Sequence, residues 1–231
     1  MKQIKVLLWD IDQTLLNFYA AEACAIRACF SIFELGECTD SMLAQYSAIN
    51  NKYWKRLEKN EITKREVLEG RFFEFFSLNG IHTDIVKDFN DEYQIRLGDT
   101  VCFHDNAYEI VKALKGRFKQ YGVTNGTAVA QNRKLEKSGL GALFDGVFIS
   151  DEIGFEKPSR SFFDLVFRTI GDYDKEEIMI IGDSLTSDIK GGNNAGILCC
   201  WYNPSGHENN LGLRIDYEIS DLNSVLNILD L

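Results

Sequence analysis

Four short polar clusters carry the residue types that chemistry needs: DIDQT at residues 10–14, TNG at 124–126, EKPS at 156–159 and GDSLTSD at 182–188. The first closes the stretch VLLWDIDQTLL, where an apolar run reads as a buried strand and Asp10, Asp12 and Thr14 then take alternate positions. Carboxylates in that setting are strongly unfavourable when dry and unpaired, so the chain must offset them. Asp10 and Asp183, with the Asp12 backbone carbonyl and waters, make the oxygen-rich set that suits octahedral Mg²⁺, and a divalent cation there relieves the repulsion between the acids. Oxygen sites of this kind also accept Mn²⁺ or Co²⁺. One oxygen of Asp10 can then attack phosphorus to form an aspartyl-phosphate. Asp12 can give a proton to the leaving alkoxide and later take one from water. The Thr124 hydroxyl, the amide of Asn125 and Lys157 would hold the non-bridging oxygens, while Thr14 and Asp188 support the acids. Together these residues are an inventory for phosphoryl transfer.

Taken singly, each cluster is an ordinary turn or helix cap: Asn-Gly is a common turn, and Asp, Ser and Thr are common caps. Their joint order carries the reading, because each follows a strand signal. The runs RFKQYGVTN, DGVFISD, EIMIIGD and ILCCWYN are apolar or β-branched, end in turn residues and are separated by helical patterns, which predicts a Rossmann-like parallel sheet sandwiched by helices, an α/β fold. Thr127 is placed to open a helix that stops near Gly139, and Ser159 one that stops near Gly171; a short helix is expected after the strand ending at Asp183. In an open parallel sheet, ligands bind beyond the carboxyl ends of the strands, which is where all four clusters fall. Between Phe18 and Leu97 the pattern is helical throughout, predicting an inserted all-helical unit at 18–97 in a core made of 1–17 and 98–231.

The 231 residues carry 25 Lys and Arg against 35 Asp and Glu, a formal charge of -10. That balance, without a basic run, argues against nucleic acid or an anionic membrane surface as partner, since both need a cationic footprint. Apolar runs are far shorter than a membrane span, and a strand pattern begins almost at once, so the expectation is a cytoplasmic protein. Six cysteines without paired spacing and three separated histidines fit neither a zinc site nor a Ser-His-Asp triad; the cysteines read as packing residues.

The four clusters in this order resemble the haloacid dehalogenase superfamily of phosphatases, over nearly the whole chain. The resemblance implies that Asp10 is the nucleophile, Asp12 the acid/base, Thr124 the phosphate-binding hydroxyl, Lys157 the basic residue and Asp183 the metal ligand with Asp188 nearby. It also implies a helical cap whose opening and closing admits substrate and excludes water. More narrowly, YSAINNKYWKRLEKNEIT, EGRFFEFF, VTNGT, ISDEIGFEKPS and GDSLTSDIKGGNNAG are similar to the YjjG-type pyrimidine 5'-nucleotidases, which hydrolyse nucleoside monophosphates, including noncanonical pyrimidine nucleotides. Two positions depart from the family pattern: Trp9 stands before the nucleophile where Phe is more usual, and CFHDNA replaces a frequent proline-glycine turn.

Selectivity is expected from the insertion, where Phe18, Asn51, Trp54 and Arg71 offer an aromatic face to stack on a base and polar groups to read its edge. At helical spacing Tyr53, Trp54, Phe72, Phe73, Phe75 and Phe76 also read mainly as the core of the helical unit. The expected partner is a small-molecule nucleotide of the UMP, dUMP or TMP type, handled by a monomer or homodimer. A sugar-phosphate phosphatase or phosphomutase shares all four clusters and stays open as an alternative, as does a non-catalytic phosphate-binding module. A carbon-halogen hydrolase is disfavoured by Asp12, since halide departure needs no proton donor.

Overall fold

The structure is a computed structural model and describes residues 3–231. Its elements follow in chain order. After β1 (Val6–Trp9) come four helices, α1 (Phe18–Ile32), α2 (Asp40–Glu58), α3 (Lys64–Asn79) and α4 (Val86–Asp99), and then α5 (Ala107–Leu114) leads into β2 (Lys119–Thr124). The chain continues through α6 (Ala128–Ser138), β3 (Gly146–Ile149), the short α7 (Ser150–Ile153), α8 (Arg160–Ile170), β4 (Ile178–Gly182), α9 (Lys190–Ala195), β5 (Leu198–Tyr202), β6 (Tyr217–Ile219) and α10 (Ser224–Ile228).

All six strands run parallel in the order β3-β2-β1-β4-β5-β6. β1 is central: Val6 to Trp9 pairs with Lys119 to Gly122 on one side and with Ile178 to Ile181 on the other. The order therefore reverses between β1 and β4, and the crevice beyond their carboxyl ends is where such a sheet binds ligands. Both faces of β1 are buried, which is why its sequence is continuously apolar rather than alternating. Leu7, Trp9, Met179 and Ile181 pack on one face with Ile110 and Leu114 of α5. Val6, Leu8, Ile178 and Ile180 pack on the other with Phe162, Phe163 and Val166 of α8. Trp9 satisfies its one donor by giving Nε1–H to Gln120 Oε1 at 3.0 Å, and Gln120 in turn donates to Val111 O.

A third apolar cluster lies under α1 to α4, built on Phe30, Tyr46, Phe72, Phe75, Phe76, Phe89 and Tyr93. Full burial of each of these phenylalanine rings contributes roughly 1.5–3 kcal/mol. Phe73 departs from the expected core: its neighbours 72, 75 and 76 take the buried face of α3, leaving Phe73 56% exposed. Ala130 of α6 belongs to the same cluster, so these helices rest on the sheet layer through α6. At Gly98 of α4 a Cβ would stand 2.7 Å from Arg133 Cβ and 2.9 Å from Ala130 O, so glycine permits the close α4–α6 approach.

The caps read from the sequence are present: the Thr127 side chain accepts from Ala130 N and that of Ser159 from Phe162 N, with Gly139 closing α6 in a left-handed turn. The helix expected after the fourth strand begins with a π-helical turn, Leu185–Ile189, before α9. β6 was not expected; its three residues give too short a run to read. Among the described residues, no helix is long and apolar enough to cross a membrane.

Candidate active site

The carboxyl ends of β1, β2 and β4, with the loop between α7 and α8, bring the four clusters together. Asp10 follows β1 directly and fixes its backbone by donating N–H to Ile181 O at 2.9 Å. Lys157, 1% exposed, arrives from the loop before α8 and spends its ammonium on Asp10 Oδ1 at 2.7 Å, Asp188 Oδ1 at 2.7 Å and Val123 O at 2.8 Å. Thr14 donates its hydroxyl to Asp10 Oδ2 at 2.9 Å and accepts from Asp183 N at 3.1 Å, so one side chain ties the ends of β1 and β4. Asp188 Oδ2 accepts from Ser184 N at 3.1 Å. A Cβ at Gly182 would lie 2.4 Å from the Asp188 carboxylate; only glycine lets that carboxylate fold back under the strand end.

Asn125 works through Lys157. Its Nδ2 donates to Lys157 O at 2.8 Å, and its Oδ1 accepts from Lys157 N at 2.8 Å, so both ends of the side-chain amide hold the lysine backbone. Thr124, 1% exposed, uses Oγ1 to accept from Gly126 N at 3.2 Å, leaving its hydroxyl proton to donate.

Electrostatically the cluster is short of positive charge. Oxygens of Asp10, Asp183 and Asp188 lie within 4.8 Å of one another. Burial, then the Asp188 charge, push Asp10 up to about 7 despite Lys157. Burial followed by Asp10 and Asp188 hold Asp183 well above the carboxylate range. Burial works against the Lys157 ammonium, yet Asp10 and Asp188 outweigh it and keep it firmly charged. One ammonium cannot neutralise three acids, and the donor set is all hard oxygen, so these residues fit a hard divalent cation.

Asp12 faces α6 instead. Its Oδ2 accepts from Gln131 Nε2 at 2.7 Å and its Oδ1 is ion-paired with Lys134 Nζ, a lysine only 1% exposed. Neither partner was expected from the sequence. The signal lay in their spacing: Thr127, Gln131, Lys134 and Ser138 share the helix face that is buried, but polar residues on a helix are ordinarily taken as the wet side.

A cavity of about 200 Å³ opens above these groups, and all four residues expected from the insertion line it: Phe18, Asn51, Trp54 and Arg71. Asn51 sits at its rim, reaching Tyr19 Oη at 3.5 Å. Arg71 is 2% exposed, donates to Asn50 Oδ1 at 2.8 Å and Asn90 Oδ1 at 3.2 Å, and lies 4.9 and 5.1 Å from the Phe72 and Tyr93 rings; its Nε has no hydrogen-bond partner among the described residues. Gln13, Tyr19, Glu58 and Gln94 also line the wall and were not singled out from the sequence as site residues.

The family model described as haloacid dehalogenase-like hydrolase matches residues 4–196. This chain belongs to that hydrolase family. It is similar to the HAD-hydrolase YfnB of Bacillus subtilis, 37% identical over 231 residues, covering 100% of this chain and 97% of YfnB. A magnesium-bound crystal structure of YfnB superposes with a TM-score of 0.94 at 36% identity, covering 100% of both chains. This hydrolase is also similar to the pyrimidine 5'-nucleotidase PynA of Streptococcus pneumoniae, 35% identical and covering 98% of this chain and 95% of PynA. With the pyrimidine 5'-nucleotidase YjjG of Escherichia coli it shares 26% identity, covering 96% of each. The parallel sheet flanked by helices is thus the fold of a hydrolase whose strand-end clusters meet in one crevice.

Proposed function

We propose that this hydrolase is a phosphomonoesterase acting on nucleoside 5'-monophosphates, with pyrimidine nucleotides such as UMP, dUMP and TMP as its preferred class. The observation that carries it is the Asp10 carboxylate, set by Lys157 and Thr14 at the floor of a cavity whose wall includes Phe18, Trp54, Asn51 and Arg71. Two relatives named pyrimidine 5'-nucleotidases cover nearly the full chain, which supports the substrate class.

An oxygen of Asp10 attacks phosphorus, the bond to the ester oxygen breaks, and Asp12 delivers a proton to that oxygen as the alcohol leaves. Asp12 then takes a proton from water, which attacks the aspartyl-phosphate and frees phosphate and the Asp10 carboxylate. Thr124 and the backbone N–H of Asn125 hold non-bridging oxygens, and Lys157 adds positive charge beside Asp10. Mg²⁺, for which Mn²⁺ or Co²⁺ can substitute, would be held by Asp10, Asp183 and the Asp12 carbonyl with Asp188 in support, and supplies charge neutralisation for the transferring group. In this reading residues 1–17 and 98–231 are the catalytic core and 18–97 the cap that selects substrate and excludes water. The six cysteines are free thiols, which suits a reducing compartment, and we place the enzyme in the cytoplasm as a monomer or homodimer.

Phosphate release from a panel of nucleoside 5'-monophosphates and sugar phosphates, each with Mg²⁺ and with EDTA, tests the proposal. Metal-dependent preference for the pyrimidine nucleotides supports it. Preference for a sugar phosphate overturns the substrate class, and no turnover of any ester overturns the enzyme reading.

A further inference from the structure

Glu58 is a carboxylate with unmet hydrogen-bonding capacity in the wall of the cavity. It is the last residue of α2 and shares a helix face with Trp54 and Asn51, four and seven residues earlier, all three lining the same space as Asp10 and Lys157. Its Oε2 is buried and has no hydrogen-bond partner among the described residues. Burial raises the Glu58 pKa, and the Thr186 side chain offsets that only in part. Glu58 is not among the acids whose oxygens cluster within 4.8 Å, so the cation that Asp10, Asp183 and Asp188 fit does not answer its need. A buried acceptor left unpaired is unfavourable, so the occupant of the cavity should bring a donor to it.

Position along α2 identifies that donor. Glu58 interacts with Thr186 and feels Asp188 and Lys157, which puts it at the phosphate end of the cavity. At a rise of 1.5 Å per residue, Trp54 lies about 6 Å and Asn51 about 10 Å farther along the axis. In a nucleoside 5'-monophosphate the sugar lies between phosphate and base, and the 3'-hydroxyl is two carbons from the phosphorylated C5', nearer than the 2'-hydroxyl. We infer that Glu58 accepts a hydrogen bond from the sugar 3'-hydroxyl of the substrate, so that the enzyme selects nucleotides with that hydroxyl free. This rests on the nucleotidase reading and adds a selection that the base-facing residues do not provide. A phosphate on the 3' oxygen would remove the donor and set a dianion against Glu58 and Asp188.

The test compares kcat/KM for dUMP, 2',3'-dideoxyuridine 5'-monophosphate and 2'-deoxyuridine 3',5'-bisphosphate in the wild type, Glu58→Gln and Glu58→Ala, with p-nitrophenyl phosphate alongside. The wild type should prefer dUMP over the dideoxy compound by about tenfold or more, because a site built around a substrate hydroxyl rejects the analogue that lacks it. That ratio should collapse toward one in Glu58→Ala, and the relative rate on the bisphosphate should rise in Glu58→Gln. A purely structural role would lower all rates together and leave the ratios where they were, which overturns the inference. Equal use of dUMP and the dideoxy compound by the wild type also overturns it while leaving the nucleotidase reading intact. Turnover of p-nitrophenyl phosphate with no nucleotide turned over overturns both.

Discussion

The buried ammonium of Lys134 is paired with the carboxylate of Asp12, 122 residues away in the chain. Gln131, one turn earlier on α6, holds the other oxygen of the same carboxylate at 2.7 Å. The side chain proposed to move the proton is thus aimed by a helix that begins at Thr127, and Thr127 in turn donates its hydroxyl to Gln94 of α4 at 2.7 Å. The helices above the site and the acid inside it are joined through α6.

Replacing Lys134 with Met should therefore cripple proton transfer without unfolding the chain, since methionine fills similar space and Asp12, 23% exposed, keeps Gln131 as a partner and stays within reach of water. The expected loss in kcat is about 10- to 100-fold for nucleotides, whose alkoxide leaving group needs the proton, and smaller for p-nitrophenyl phosphate, whose phenolate does not. Steady-state rates on both esters, with a thermal melt as control, check this. Equal losses on both would show that Lys134 does not act through Asp12.

Asp10→Asn should abolish turnover, because it keeps the shape of the side chain but removes the nucleophile. More than about a tenth of wild-type activity would contradict that role. The same substitution removes a carboxylate from the acid cluster, so it should also shrink the rise in Tm that Mg²⁺ gives to EDTA-treated protein. A Mg²⁺-induced Tm shift equal to that of the wild type would take Asp10 out of the metal site.

What the sequence disclosed follows from burial. A parallel strand covered on both faces must be apolar along its length, so β1 and β4 stand out, and the first polar residues after each, Asp10 and Asp183, are marked by contrast. Thr127 and Ser159 were legible because a cap is a local feature. Lys134, Gln131 and Glu58 were not, because their burial comes from the approach of α6 to the loop after β1 and of α2 to the Leu185–Ile189 turn, neither of which leaves a mark in local periodicity. Phe73 failed for the opposite reason: in a run of aromatics, only packing decides which one faces out.

Trp54→Ala should raise KM for pyrimidine monophosphates by about tenfold, the loss expected when an aromatic platform for a base is removed. For p-nitrophenyl phosphate the change should be smaller, since that ester has no base to reach Trp54, one turn along α2 from Glu58. KM measured for UMP and for the phenyl ester checks this directly. A parallel rise for both would mark Trp54 as packing for the helices rather than a contact for the base.

Glu22 gives a pH prediction at a distance from the acid cluster. It is 1% exposed, and burial raises its pKa above 4.5 although Ser47, Arg71 and Asn50 oppose the shift. The folded protein therefore holds this proton more tightly than the unfolded chain does. Its contribution to stability is fully present below pH 4.5 and is lost as pH rises through the folded-state value. Glu22→Gln removes the titration, and the loss of the counter-charge near Arg71 sets a constant offset between the two proteins. In urea unfolding at a series of pH values from 4.5 to neutrality, the stability of the wild type relative to Glu22→Gln should fall as pH rises. A difference that stays flat would place the Glu22 proton equally in both states, and one that climbs with pH would mean that Arg71 and Asn50, not burial, dominate at that carboxylate.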